Sequence, residues 1–148
     1  MPSSTFTFFH DFSEQLGKAV HNFSSHTFKA ALTNTAPTAS TGTALSDITQ
    51  ISASGGYTAG AGGGYALDSV TWAQSSNVSK LTVADEVITA SGGSVGPFRY
   101  VVIYNDSASS PADALIGYLD YGSALTLADT ESLTLDFDGS AGLMTVTV

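Results

Sequence analysis

The chain has no cysteine, so disulfides, thiolate metal sites and cysteine nucleophiles are all excluded, and the redox compartment is left open. Basic residues are scarce as well: four Lys and Arg stand against thirteen Asp and Glu, a formal net charge of −9. A field of that sign repels phosphate backbones and anionic lipid headgroups. With no basic patch to release counterions, neither nucleic acid nor membrane is expected as a partner. No run approaches the roughly 18 consecutive apolar residues that cross a bilayer. The opening MPSSTFTFFHDF lacks the basic and long apolar regions of a signal peptide, so a soluble product made in a cytoplasm is expected. Charged residues are only 11% of the chain, and Ser, Thr, Gly and Ala fill their place. Two readings stand: a surface meant to be covered, or the Thr- and Ser-rich solvent face of a β-sandwich.

Motifs of chemistry are as scarce as charge. The three histidines, His10, His21 and His26, form no metal-binding pair, and only Asp11 and Glu14 lie near them in sequence. A Ser nucleophile is conceivable in so Ser-rich a chain, yet no spacing picks out a triad. Asp85, Glu86, Asp106 and Asp120 are available as paired carboxylates, yet no spacing selects two of them. Asp136-Phe137-Asp138-Gly139 opens like a calcium loop but lacks the downstream glutamate, and a hairpin turn accounts for it. The glycine-rich SASGGYTAGAGGGYALD carries neither the Lys-Ser/Thr of a phosphate loop nor a strand-turn-helix frame, so it reads as a flexible surface loop. The Asn-x-Ser sequons at Asn22, Asn77 and Asn105 are what abundant serine produces by chance. No enzyme activity, cofactor or metal is expected.

What is present is alternation. With 148 residues and 43% hydrophobic content, the chain is long enough for one well-packed domain. Phe98 to Gly122, FRYVVIYNDSASSPADALIGYLDYG, reads as two apolar arms joined by a polar connector, the central hairpin of a sandwich. Period two puts Phe98, Tyr100, Val102 and Tyr104 on one face and Arg99, Val101, Ile103 and Asn105 on the other. Neither face is wholly polar, which predicts a strand covered on both sides. Exposure of Tyr104 or Tyr118 would move any partner surface onto the sheet itself.

Further strands are expected at 27–34, 65–74 and 78–88, with a terminal hairpin in LTLDFDGSAGLMTVTV. Asp11 with Glu14 three residues on, followed by Leu16, Ala19 and Val20, predicts a short helix over about residues 12–21. The sum is an all-β protein, an antiparallel β-sandwich or barrel of about eight strands with one short N-terminal helix. Residues 10–148 form the single domain. Residues 1–9, crowded with Phe6, Phe8 and Phe9, form either a first strand docked on the chain's own core or an arm that packs on a neighbour. With Tyr57 and Tyr65 of the glycine-rich stretch, these phenylalanines are the candidate partner-contact residues.

The segments FHDFSEQLG and TFKAALTN, SGGYTAGAGGGYAL before VTWA, RYVVIYND, and LIGYLDYG together resemble small structural proteins of tailed bacteriophages. They are most similar to the capsid decoration, or cement, proteins of siphophages and cyanophages, over about residues 9 to 121. That resemblance implies a β-rich virion protein on the outer surface of the capsid, bound to the major capsid protein. It further implies that such a protein is commonly a homotrimer, cementing adjacent capsomers against packaged DNA. Two other functions are weighed beside it: a tail, neck or fibre-associated adaptor, and a carbohydrate-binding sandwich using Trp72 and exposed tyrosines as stacking platforms.

Overall fold

The computed structural model describes residues 4–148; the first three residues of the expected arm lie outside the described residues. The chain runs β1 (Thr7–Phe8), α1 (His10–Gly17), β2 (Phe28–Thr33), one 3-10 turn (Leu45–Asp47), β3 (Tyr65–Ala66), β4 (Thr71–Ser75) and β5 (Val78–Thr82). It continues through β6 (Glu86–Thr89), β7 (Val95–Ser109), β8 (Ala112–Leu127), β9 (Ser132–Leu135) and β10 (Met144–Thr147). All strand pairs are antiparallel, in three sheets ordered β1-β8-β7-β2-β3, β10-β5-β4 and β6-β9. The architecture is an all-β sandwich that does not close into a barrel.

The long hairpin β7–β8 is the middle of the large sheet, and it is covered on both faces. On one face Phe28, Leu32, Phe98, Val101, Ile103, Ile116 and Leu127 meet Leu81, Val83, Ile88, Leu135 and Phe137 of the smaller sheets and their loops. On the other face Ala31, Val102, Tyr104 and Leu115 are covered by Phe9 and Leu45. The expected face assignment needs one correction. Pairing with β8 is irregular between Phe98 and Tyr100, so the pleat slips there. Phe98 therefore shares the main core with Val101 and Ile103, while Tyr100, Val102 and Tyr104 point to the opposite side. The polar connector expected between the arms is also mostly strand, and only Ser110 and Pro111 separate β7 from β8.

The helix is shorter and earlier than the capping pattern predicts. Its N-cap is Phe9, without a side-chain cap bond. Asp11 instead lies in the first turn, where it suits the helix dipole and accepts a bond from Gln15 Nε2 at 3.1 Å. Ala19, with φ of 62°, takes the left-handed conformation that ends the helix. The terminal hairpin is not formed. Its first run, β9, pairs with β6, and its second, β10, pairs with β5, so the turn at Asp138 connects two different sheets. Asp138 Oδ1 accepts the Ser140 and Ala141 N–H groups and holds that turn.

The glycine-rich stretch lies at the surface, as expected, but it is anchored to the large sheet at several points. Tyr57 is 2% exposed, and its hydroxyl accepts the Leu32 N–H at 3.0 Å and donates to Gln50 Oε1 at 2.8 Å. Tyr104 Oη donates to the Gly63 carbonyl. Gly64 has φ of 90° and sits so close to the Ala30 carbonyl that no Cβ fits. The glycines let this segment lie flat on the edge of β2.

Candidate functional site

Midway along the β7–β8 hairpin, where its pairing with β1 and β2 ends, a preformed patch of charge and aromatic surface lies on the face opposite the main core. Arg99 donates to Asp120 through Nε at 2.7 Å and Nη2 at 2.9 Å, a bidentate pair whose side chains are 39% and 38% exposed. The guanidinium sits 5.2 Å from the centre of the Tyr100 ring. Tyr100 meets Tyr118 edge-on at 6.3 Å, and Tyr118 leans on buried Phe9 at 5.5 Å. Asp120 also accepts the Gly122 N–H at 2.8 Å, and its own N–H donates to Ser4 Oγ at 2.9 Å. The Arg99 hydrogen bond holds the Asp120 carboxyl below its ordinary value. Arginine and tyrosine fixed in place while partly open to solvent are the residues that anchor protein interfaces, because little side-chain entropy remains to be lost.

A second polar group is buried rather than open. Asn105 is 0% exposed, and its Nδ2 donates toward Val20 O at 3.2 Å, His21 Nδ1 at 3.2 Å and His26 Nδ1 at 3.0 Å. Its Oδ1 accepts the Ser107 N–H at 3.0 Å. The amide Nδ2 can only donate, and its two hydrogens are shared among the Val20, His21 and His26 partners. His21 packs against Phe12 and Phe23, and among the described residues its Nε2 has no partner. Burial pushes its pKa down to about 4, helped by His26 and opposed by Asp11. This knot ties the segment after α1 to β7.

The carboxylates are engaged separately. Asp106 lies 3.1 Å from Lys29 Nζ, which also donates to the Gly62 carbonyl at 2.6 Å. Asp85 accepts the Phe137 N–H. Burial and Asp68 raise the Glu86 carboxyl, and burial and Asp106 raise that of Asp113. Among the described residues no group of three or more His, Asp or Glu is placed to hold a metal ion.

Of the five candidate contact residues, Phe9 and Tyr57 are committed to the chain's own cores at 1% and 2% exposure, which corrects their assignment to a partner surface. Phe6 and Phe8 meet edge-on and, with Tyr65, pack half-buried against the main core. Thr7 and Phe8 pair with Tyr118 and Gly117, so the described part of the arm is an internal edge strand. Trp72 is half-buried and packs on Phe23 at 5.7 Å. Tyr104 is buried, whereas Tyr118 is half-exposed, which directs attention to the sheet itself. Arg99 and Asp120 were not singled out together by the sequence. The signal was a lone arginine among apolar residues of a strand, a charge that needs an acid within reach. The chain matches no family model, no curated protein and no solved structure.

Proposed function

We propose that this chain is a structural virion protein that binds the outer surface of a phage capsid and cements adjacent capsomers, with the major capsid protein as its partner. It acts through contact rather than bond-making. The observation that carries the reading is the half-exposed group of Arg99, Tyr118 and Asp120, held in place by buried Tyr100 and set on a sheet backed by the main core. Such a patch suits a broad, partly wet contact repeated over many copies, where avidity makes modest single affinities sufficient. The acidic balance is in keeping with the outside of a shell, where no nucleic acid has to be held.

The test is co-sedimentation with expanded, DNA-filled heads that lack the protein, followed by thermal disruption of the heads. Binding and a higher disruption temperature are expected. Tyr118→Ala should weaken binding by about 30-fold, the scale of one interfacial anchor. Failure of the wild-type chain to bind heads, or binding with no effect on disruption, sinks the proposal. Densitometry of virions separates this role from a tail or neck adaptor: hundreds of copies are expected, against about a dozen for a component of the tail axis.

A further inference from the structure

The three-stranded sheet differs from the rest of the molecule in its charge. Its strands TWAQS, VSKLT and MTVT contain no Asp or Glu, although the chain carries thirteen. Its single charged side chain, Lys80, donates from Nζ to the Ser140 carbonyl at 2.7 Å. Among the described residues, nothing pairs with the outer edge of β10. That edge has none of the usual guards against strand addition: no charge, no proline and no bulge between Met144 and Thr147. The two-stranded sheet is guarded by contrast, since β6 begins at Glu86 after Asp85 and β9 is flanked by Glu131 and Asp136.

The register fixes what the open edge presents. Val148 N–H donates to the Asn77 carbonyl, and the pairs Val146 with Ser79 and Met144 with Leu81 follow it at period two. Alternation in an antiparallel ladder then turns the main-chain groups of Val146 toward β5 and those of Thr145 and Thr147 outward. Val146 lies on the side of the sheet that carries Met144 and Leu81, one pleat beyond the core, and is 42% exposed. It is one of three large apolar side chains exposed to that degree among the described residues.

We propose that β10 pairs antiparallel with β10 of a second copy of this chain across a two-fold axis centred on Val146. Thr145 then exchanges both main-chain bonds with Thr147 of the other copy, and the reverse, which satisfies every outward group of the strand. The two Val146 side chains meet as the close, non-hydrogen-bonded pair and cover each other. A second copy is the fitting occupant because the junction is self-complementary and because this is where a chain of net charge −9 brings no acid against an acid. The junction forms without a capsid, so it does not rest on the virion reading, and it replaces the trimer that the resemblance implies.

The absence of cysteine makes a clean test. Val146→Cys should oxidise to a disulfide-linked dimer, since the facing Cα atoms of such a pair lie within disulfide range. Val87→Cys, at 54% exposure on a guarded edge, is the collision control and should oxidise far more slowly. Light scattering of the wild-type chain at high micromolar concentration should give twice the 15.1 kDa of one copy. Val146→Lys should give a monomer with unchanged β circular dichroism. If that variant misfolds, Thr145→Pro serves instead, because it removes only an outward N–H. A monomeric wild-type chain, or equal oxidation of the two cysteine variants, overturns the proposal. So does a trimer in which Val146→Cys does not cross-link, although the shell reading would survive that result.

Discussion

The large and the small sheet solve the same problem, unpaired strand edges, in opposite ways. In the large sheet both edges are sealed by irregular chain. On the β8 side, Thr7–Phe8 pairs with it, Phe9 N–H donates to Ile116 O, and Ser4 Oγ accepts the Asp120 N–H. On the β2 side, Tyr65–Ala66 pairs for two residues, then the Tyr57 hydroxyl takes the Leu32 N–H and Ile51 N–H donates to Leu32 O. Among the described residues, nothing pairs with the outer edges of β4 and β10 in the small sheet, which packs one face on the core and turns the other to water. The difference separates a load held inside the molecule from a surface left available outside it.

The widest gap between the two sheets should appear in their tolerance of truncation. Phe98→Ala removes a ring that is 0% exposed at the centre of the main core and should cost about 3–5 kcal/mol. Thr145→Ala, on the exposed strand β10, should change stability by no more than about 0.5 kcal/mol. Urea denaturation of both variants checks the contrast, and equal effects would end it. Next in size is Gly64→Ala, which forces a side chain onto a φ of 90° and into the Ala30 carbonyl. A loss of at least about 2 kcal/mol is expected by the same measurement. A flexible surface loop would show no loss.

The large sheet should also be the acid-sensitive one. His21 is held neutral, with a folded pKa of about 4 against an ordinary 6.5. Between those values the unfolded chain binds more protons, so stability is full above about pH 6.5 and falls as the pH drops toward 4. The groups bearing on it are His26, which deepens the shift, and Asp11, which opposes it. Over that window the wild-type chain should lose about 2 kcal/mol more than His21→Gln. Parallel pH profiles for the two would show that the knot around Asn105 is not proton-linked.

The central hairpin, its double coverage and the all-β class were legible because period-two alternation survives in any register. The side of Phe98 was not, because an irregularity at Arg99 shifts the pleat without altering composition. Glycine clustering signalled conformational freedom, but a glycine also allows close backbone approach, and here the second use prevails at Gly64. The two runs of the terminal segment have the pattern of a hairpin. Their pairing with β6 and β5 is decided by tertiary partners that a local reading does not contain. The Arg99 and Asp120 pair is 21 residues apart in sequence, and only the hairpin register brings it together.

The smallest effect on stability should come from that pair, and this makes it informative. Arg99→Lys keeps the charge but loses the fork that reaches both Asp120 oxygens and the flat group over Tyr100. Both side chains are more than a third exposed, so water replaces much of what is lost, and thermal denaturation should not resolve the variant from wild type. Head binding should nevertheless weaken, because a partner that covers the patch removes the water and then needs the geometry. A variant that lost stability and kept binding would mean that the patch braces the large sheet, and the contact surface would have to be sought on the small one.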